Sequence, residues 1–405
     1  MNGADTVFVL ISAALVMLMT PGLALFYAGM ARSKNALATI MQSFICLAVI
    51  SLVWVLWGYS LSFGRDLYGL IGGLNFLGLK NVGMKPSPEY ASTIPHLAFM
   101  IFQGMFAVIT PALITGAFAE RMKFSGFVLF SILWATFVYS PLCHWVWGGG
   151  WMAKMGALDF AGGAVVHMSS GSAALAGALV VGPRKGFGKR SFIPHNLPMT
   201  LLGAGLLWFG WFGFNAGSAL AINGLAANAF VTTHVAAAAA ALGWLLVERL
   251  KHGQATTLGL ASGAVAGLVA ITPAAGFVSP LSAIVIGFLG GILCSYGIHL
   301  KNKFGYDDAL DVVGIHGLGG CWGALATGLF ASKAINPDGA NGLFYGNPAQ
   351  LWIQLVSVLA TCIFSFVLSW ILFKLVDKGI GLRVTVDDEE QGLDLSEHSE
   401  SAYQF

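Results

Sequence analysis

Long runs of apolar residues, separated by short polar loops, divide the chain into segments of the length that crosses a bilayer. A helix needs about 20 mostly apolar residues to span a hydrocarbon core of roughly 30 Å. Eleven runs qualify, at about 6–30, 36–63, 91–119, 124–147, 159–182, 196–222, 225–250, 257–274, 277–300, 308–332 and 348–376. The pattern therefore predicts an all-α polytopic membrane protein with eleven transmembrane helices, numbered here as spans 1 to 11.

Basic residues alternate from loop to loop and predict the orientation of these spans. Fifteen of the 20 lysines and arginines lie in the loops that follow spans 1, 3, 5, 7, 9 and 11. Because cytoplasmic loops carry the excess of positive charge, the N-terminus is expected outside and the C-terminus inside. The opening MNGAD has no basic stretch of the kind that begins a signal peptide, so span 1 is expected to be retained.

Composition agrees with a membrane protein and disfavours several other classes. Only 9% of the 405 residues are charged, against about 25% in soluble domains. A net charge of +2 gives no electrostatic support for nucleic-acid binding. The five cysteines lie in apolar runs without metal-ligand spacing, and GPRKGFGKR at 182–190 lacks the spacing of a phosphate-binding loop. We therefore expect neither an enzyme nor a metal or cofactor site.

Three short strings recur in the same order, five spans apart. FYAG at 26–29 resembles FNAG at 214–217, and ITPA occurs at both 109–112 and 271–274. The spacing from Asp159 to His167 recurs from Asp308 to His316. These matches predict two five-helix repeats, at about 6–182 and 196–332, with span 11 added at 348–376. Because five is odd, the second repeat must be inverted relative to the first.

The repeated aspartate–histidine spacing indicates where the chemistry lies. Eight helical residues cover about 12 Å, which places each histidine near the bilayer midplane, approached from opposite sides. Inverted-repeat transporters place their sites there, so His167 and His316 are expected to meet. A lone membrane histidine is often only polar glue between helices, but the repeat favours a functional pair. Asp159 and Asp308 are also suited to helix capping, a structural role.

Several strings resemble the ammonium transporter family (Amt/Mep/Rh). They are MTPGLALFYAGM at 19–30, DFAGGAVVHMSSG at 159–171, FGFNAGSAL at 212–220 and DDALDVVGIHGLGG at 307–320. The resemblance runs from span 1 into the tail segment GLRVTVDDEEQGLDLSEH, and we see no departure at a pore position. It implies a homotrimer in which each subunit has a narrow apolar pore for ammonia, in the inner cell membrane.

The resemblance also implies residue roles. Phe102, Trp147 and Ser218 match an outer site that recruits ammonium. The remaining positions match a phenylalanine gate (Phe106, Phe214), paired pore histidines (His167, His316) and supporting residues (Asp159, Trp211). Ammonium suits such a pore because it can shed a proton and continue as ammonia, whereas a metal ion cannot. From the residues alone, Phe102 and Phe106 are equally a packed helix face, and Trp147 an interfacial anchor.

Two other functions remain open at this point. The first is an ammonium sensor of the same fold that signals through its C-terminal tail. The second is a passive channel for another small neutral molecule, which competition by methylammonium, an expected alternative substrate, would distinguish. Residues 1–376 are expected to form the membrane domain and 377–405 an acidic cytoplasmic tail. This tail is either a solvated, partly disordered end or a docking segment, and the family resemblance implies a PII-type signalling protein as its partner.

Overall fold

A computed structural model describes residues 1–404 of the chain. Eleven long helices form its body: α1 (Gly3–Met30), α2 (Ser33–Phe63), α3 (His96–Ala117), α4 (Phe124–Met155), α5 (Gly163–Val181), α6 (Leu197–Gly217), α7 (Gly224–His252), α8 (Thr257–Ile271), α9 (Pro280–Phe304), α10 (Val313–Phe330) and α11 (Pro348–Ile380). Ten of these helices are long and apolar enough to cross a membrane, and α8 is shorter, with 15 residues. Their order is that of the eleven predicted spans.

One string that occurs twice has a different place in each of its two helices. The ITPA sequence at 109–112 lies inside α3, which continues past Pro111. At 271–274 the same string ends α8 at Ile271, two residues before Pro273. Because Thr272 keeps helical backbone angles and Pro111 lies inside α3, the proline alone does not account for this end. The α8 helix is only about 22 Å long at 1.5 Å per residue.

Three predicted spans begin too early. Residues 91–95 were assigned to span 3 but form a β-strand (Ala91–Pro95) before α3. Spans 5 and 10 were expected from residues 159 and 308, whereas the helices begin at Gly163 and Val313. The cause is the same in both cases, because each aspartate lies before its helix and accepts hydrogen bonds from the first turn.

The helices of the two halves pack against each other. Helix α1 lies along α6, and α7 packs against both α8 and α9, while α11 covers α4, α5 and α10. Small residues allow the closest approaches: a Cβ on Gly263 or Gly267 of α8 would lie 2.5–2.7 Å from Trp244 and Ala240 of α7. The small-residue spacing of span 8 therefore does place this helix directly against a neighbour.

The two ends of the helix bundle differ. One end carries two hairpins, β1 (Asp66–Leu67) with β2 (Ile71–Gly72) and β3 (Pro86–Ser87) with β4 (Ala91–Pro95), and is called the hairpin face. The other end carries the arginine- and lysine-rich loops and is called the basic face. The buried core runs continuously between the two faces and includes many aromatic side chains.

The acidic tail is folded onto the basic face as two short helices, α12 (Val386–Gln391) and α13 (Leu393–His398). The carboxylate of Glu389 is buried against Arg383, at 2.7 Å, and accepts from the backbone of Lys185. Asp394, also buried, accepts from the backbone N–H of Ala38 in the first turn of α2. The expectation of a solvated, partly disordered end is therefore wrong over the described part of the tail.

Candidate functional site

Two histidines lie in contact at the crossing of α5 and α10. His167 and His316 are 1% and 3% exposed, and their Nδ1 atoms are 3.2 Å apart. Each lies in a widened, π-helical turn, Gly163–Met168 in α5 and Val313–Gly317 in α10. Such turns are rare and occur often at functional sites. For two neutral rings, one Nδ1 must donate and the other accept, so the rings adopt opposite tautomers.

Two glycines allow this crossing. A Cβ on Gly171 would lie 2.3 Å from the backbone nitrogen of Gly317, which follows His316. A Cβ on Gly320 would lie 3.1 Å from the Cβ of His167. Each glycine stands four residues after the histidine of its own helix and faces the histidine segment of the other helix. The sequence showed this match between repeats, but only the structure shows that it sets the distance between the histidines.

The two aspartates cap their helices to different degrees. The carboxylate of Asp159 accepts four backbone N–H groups at 2.6–3.3 Å, from residues 162 to 165. The carboxylate of Asp308 accepts from Val313 at 2.7 Å, and its Oδ1 has no hydrogen-bond partner among the described residues. Capping is therefore a role that both aspartates have in the structure.

A narrow apolar cavity adjoins the histidine pair. It leaves about 10 Å³ for the centre of a water-sized molecule, close to the minimum that holds one water. Apart from the histidines its walls are apolar and aromatic: Met19, Leu23, Phe26, Ile109, Leu113, Val166, Leu207, Trp211, Phe214 and Val265. The Nε2 atom of His167 is buried without a hydrogen-bond partner among the described residues. This atom is the polar group in an otherwise apolar space that is free to bind a small molecule.

Aromatic rings close this cavity towards the hairpin face. The rings of Phe106 and Phe214 have centroids 4.2 Å apart, and the Phe214 ring lies 6.0 Å from that of His167. Trp211 stacks on His167 at 5.4 Å and is fixed by a 2.8 Å hydrogen bond from its Nε1 to Thr272 Oγ1. The sequence reasoning missed Thr272, because nothing in a single chain signals that a threonine holds an indole 61 residues away.

Two of the three predicted recruitment residues contact the Phe106 ring, and the third, Ser218, is bonded to the backbone of Phe214. Phe106 contacts Phe102 at 5.0 Å and Trp147 at 5.9 Å, both edge-on. Phe102 is buried against Gly217, which precedes Ser218. The Ser218 hydroxyl donates to the carbonyl of Phe214 at 2.9 Å, which leaves its lone pairs free to accept. Trp147 and Ser218 are both half-buried.

Buried ions hold the loops of the basic face together. Arg184 binds Asp307 at 2.8 Å and Glu120 at 3.4 Å, and Glu120 also binds Arg32 at 2.7 Å. Burial alone would raise the pKa of Glu120 and of Asp307, but these arginines outweigh it and lower both values. Arg184 belongs to the glycine- and lysine-rich string at 182–190, so this residue of the string has a structural role in an ion pair.

Metal-ligating side chains do not gather anywhere in residues 1–404, where no group of three or more histidine, cysteine, aspartate or glutamate residues is placed to hold a metal ion.

Fold and site together define a helical membrane protein with a narrow apolar passage, aromatic on one side of a buried histidine pair. Residues 7–403 match the model of the Ammonium Transporter Family. The chain is 56% identical to an ammonium transporter of Bacillus subtilis, with 100% of this chain and 99% of that protein covered. It is 51% identical to the ammonium transporter Amt1 of Archaeoglobus fulgidus, over the whole of both chains.

Solved structures show the same fold. Candida albicans Mep2 is similar with a TM-score of 0.90 at 37% identity, over 96% of this chain and 88% of that one. A protein described as a sensor Amt protein is similar with a TM-score of 0.89 at 31% identity, over 98% of both chains. The chain belongs to the Ammonium Transporter Family.

Proposed function

We propose that this chain transports ammonium by recruiting the cation at the hairpin face, removing a proton and passing ammonia through the apolar cavity. The observation that carries the proposal is the pair of touching histidines in a passage one small molecule wide. The names of the relatives, all ammonium transporters, support the choice of substrate. A transporter of this kind makes and breaks no covalent bond except that to the proton, so the chain is not proposed to be an enzyme.

Recruitment is assigned to Phe102, Trp147 and Ser218. An aromatic face attracts a cation by about 0.5–2 kcal/mol, with the larger value in a dry site. Ser218 adds a hydroxyl oxygen that can accept from a bound N–H. The contacts of Phe102 and Trp147 with the same Phe106 ring support a common site for the three residues.

We assign the selection of ammonium over metal ions to the step that follows recruitment. The 4.2 Å contact of Phe106 with Phe214 leaves no gap for a hydrated ion, so these rings must rotate for anything to pass. Beyond them a bare cation loses its hydration in an apolar space, which is strongly unfavourable. Ammonium avoids this penalty by leaving a proton behind, and sodium and potassium have none to leave.

The histidine pair then serves ammonia in two ways. The opposite tautomers leave one outward nitrogen as donor and the other as acceptor, and ammonia can bond to both kinds of group. The 3.2 Å contact between the rings also allows a proton to pass from one to the other. We propose this contact as part of a proton route that runs beside the ammonia.

The proposal also covers the number and orientation of the spans, the assembly and the partners. We assign residues 1–376 to a membrane domain of eleven spans and two inverted repeats, with 377–405 as a cytoplasmic tail. Fifteen of 20 basic residues support a cytoplasmic basic face, and hence an N-terminus outside. Family membership supports a homotrimer in the inner cell membrane, methylammonium as an alternative substrate and a PII-type regulator at the basic face.

The test is to record current and internal pH together in proteoliposomes given an ammonium pulse. We expect alkalinisation or a saturable current, either of which supports transport. A current shows that charge crosses with each ammonia and supports a proton route, whereas alkalinisation without current shows that ammonia passes alone. Neither signal from folded, oriented protein would refute transport and favour the alternative, a sensor, which the similarity to a sensor Amt protein keeps in view.

A further inference from the structure

A further buried histidine lies on the hairpin face, outside the passage described above. His144 is fully buried near the end of α4, three residues before Trp147. Its Nδ1 is 2.9 Å from the backbone carbonyl oxygen of Ser62, and its Nε2 is 2.9 Å from Oδ1 of Asp66. Both ring nitrogens therefore face oxygen atoms.

The identity of these oxygens fixes the protons on the ring. A backbone carbonyl only accepts, and an ionised carboxylate only accepts. Asp66 is held as an anion: its Oδ1 also accepts from the N–H of Gly69 at 2.7 Å, and its Oδ2 lies 2.5 Å from the ammonium of Lys154. Both contacts are hydrogen bonds only if the ring of His144 carries a hydrogen on each nitrogen.

The backbone and the ring of His144 both lie against the turn that carries Trp147. The backbone N–H groups of Gly148 and Gly150 donate to the carbonyl of His144 at 3.1 and 2.9 Å. A Cβ on Gly148 would lie 2.6 Å from Nδ1 of His144, so the turn rests directly on the imidazole. The indole is also held by its own Nε1, which donates to the carbonyl of Asp159 at 2.9 Å.

We propose that His144 is a positioning residue: a buried imidazolium, held between the Ser62 carbonyl and the Asp66 carboxylate, that fixes Trp147 at the recruitment site. The charged groups that face it are Asp66 of β1 and, behind that carboxylate, Lys154. The functional part of this inference rests on the proposed function, because it requires Trp147 to bind the substrate. The protonation state of His144 does not depend on transport and can be tested separately.

The protonation state is tested by solid-state NMR of ¹⁵N-histidine-labelled protein in lipid bilayers at neutral pH. We expect one ring with both nitrogens protonated whose signals vanish in His144→Gln. A neutral ring lost on that substitution overturns the inference. If His144→Gln does not fold, Asp66→Asn supplies the same test, because removing the carboxylate should convert the doubly protonated ring to a neutral one. An unchanged spectrum in Asp66→Asn also overturns the inference.

The positioning role is tested by methylammonium uptake into proteoliposomes. In Asp66→Asn we expect KM to rise about three- to tenfold, as a weakened cation–aromatic contact implies, with kcat changed less than about twofold. The matched control is Lys154→Met, which removes an ammonium that is 61% exposed and leaves the histidine–carboxylate contact in place. Its KM should stay within about twofold of wild type.

A double variant and a tryptophan variant separate the possible failures. Since His144 and Asp66 act as one unit, KM of the double variant His144→Gln/Asp66→Asn should not exceed that of the worse single variant. Independent, additive increases would overturn the inference. If Trp147→Ala raises KM and Asp66→Asn does not, the positioning role fails and the recruitment site stands. If Trp147→Ala leaves KM unchanged, the recruitment site itself fails.

Discussion

The contact between the two histidines depends on Gly171, and the structure allows the effect of an added methyl group to be worked out. A Cβ at this position would lie 2.3 Å from the backbone nitrogen of Gly317 and 2.4 Å from its Cα. Comfortable separations begin near about 3.5 Å, so α5 and α10 would have to move apart by about 1 Å. Backbone atoms cannot turn aside as a side chain can, so the whole helix has to shift.

The expected result of Gly171→Ala is a loss of transport larger than the loss of stability. Moving the helices by about 1 Å lengthens the 3.2 Å contact between His167 and His316 to about 4 Å, beyond hydrogen-bond range. Overpacking of this kind destabilises by about 1–3 kcal/mol. We expect ammonium flux in proteoliposomes to fall at least about tenfold, with the protein still recovered folded and the unfolding temperature lowered.

Two other glycines supply the controls. Gly320→Ala is the milder perturbation: its Cβ lies 3.0–3.1 Å from Met168 Cγ, His167 Cβ and the Met168 backbone nitrogen, so a shift of a few tenths of an ångström relieves the crowding. Its flux should stay within about threefold of wild type. Gly379→Ala in the last turn of α11 meets nothing within 4 Å and should leave flux unchanged. Wild-type flux in Gly171→Ala, or a greater loss in Gly320→Ala, would refute the reasoning.

Three further predictions concern the histidines, a cap and an ion pair. Leucine at His167 or at His316 should change flux or its accompanying current while assembly on size-exclusion chromatography stays intact; wild-type behaviour of both variants would contradict the proposed pore role. Asp159→Ala, which leaves four backbone N–H groups without their acceptor, should destabilise by about 2 kcal/mol or more in thermal unfolding, whereas Asp159→Asn should lose less. Because its pKa is lowered on folding, Glu120 stabilises the protein above its unfolded pKa of about 4.3, and this stability is lost as pH falls through the folded value. Melting temperatures measured from neutral pH down to about 3 should therefore fall, and Glu120→Gln should be less stable at neutral pH and less sensitive to acid.

Patterns along the chain were sufficient to predict the helices and the pairing of His167 with His316. Hydrophobic runs predicted eleven spans, and ten of them correspond to helices long enough to cross a membrane, because each long apolar segment must satisfy its own backbone inside a bilayer. The internal repeat singled out His167 and His316, since matching spacings carry information that a lone histidine lacks. The boundaries near Asp159 and Asp308 were less accurate, because an apolar run does not reveal where a cap begins the helix.

The folded tail and the His144 contact could not be predicted in this way. The tail has a composition typical of a solvated segment, yet Glu389 is buried by a salt bridge with Arg383 and a hydrogen bond from the Lys185 backbone. Asp66 and His144 are 78 residues apart and occur in strings with no repeat partner. Pairings of this kind depend on which loops the bundle brings together, and one sequence contains no signal for them.

Differences between the matching strings show which part of the repeat the proposed function requires. Asp159 caps α5 with four hydrogen bonds, whereas the Oδ1 atom of Asp308 has no hydrogen-bond partner among the described residues. The ITPA string lies inside α3 at its first occurrence and ends α8 at its second. The widened turns and the two glycines, in contrast, place His167 and His316 against each other in a reciprocal way. A passage that takes up a cation on one side and releases ammonia on the other needs two different entrances. A proton shared between two rings, in contrast, needs similar surroundings for both rings. The strings of the predicted repeat therefore differ at the aspartate caps and at ITPA, and agree where they place the histidines.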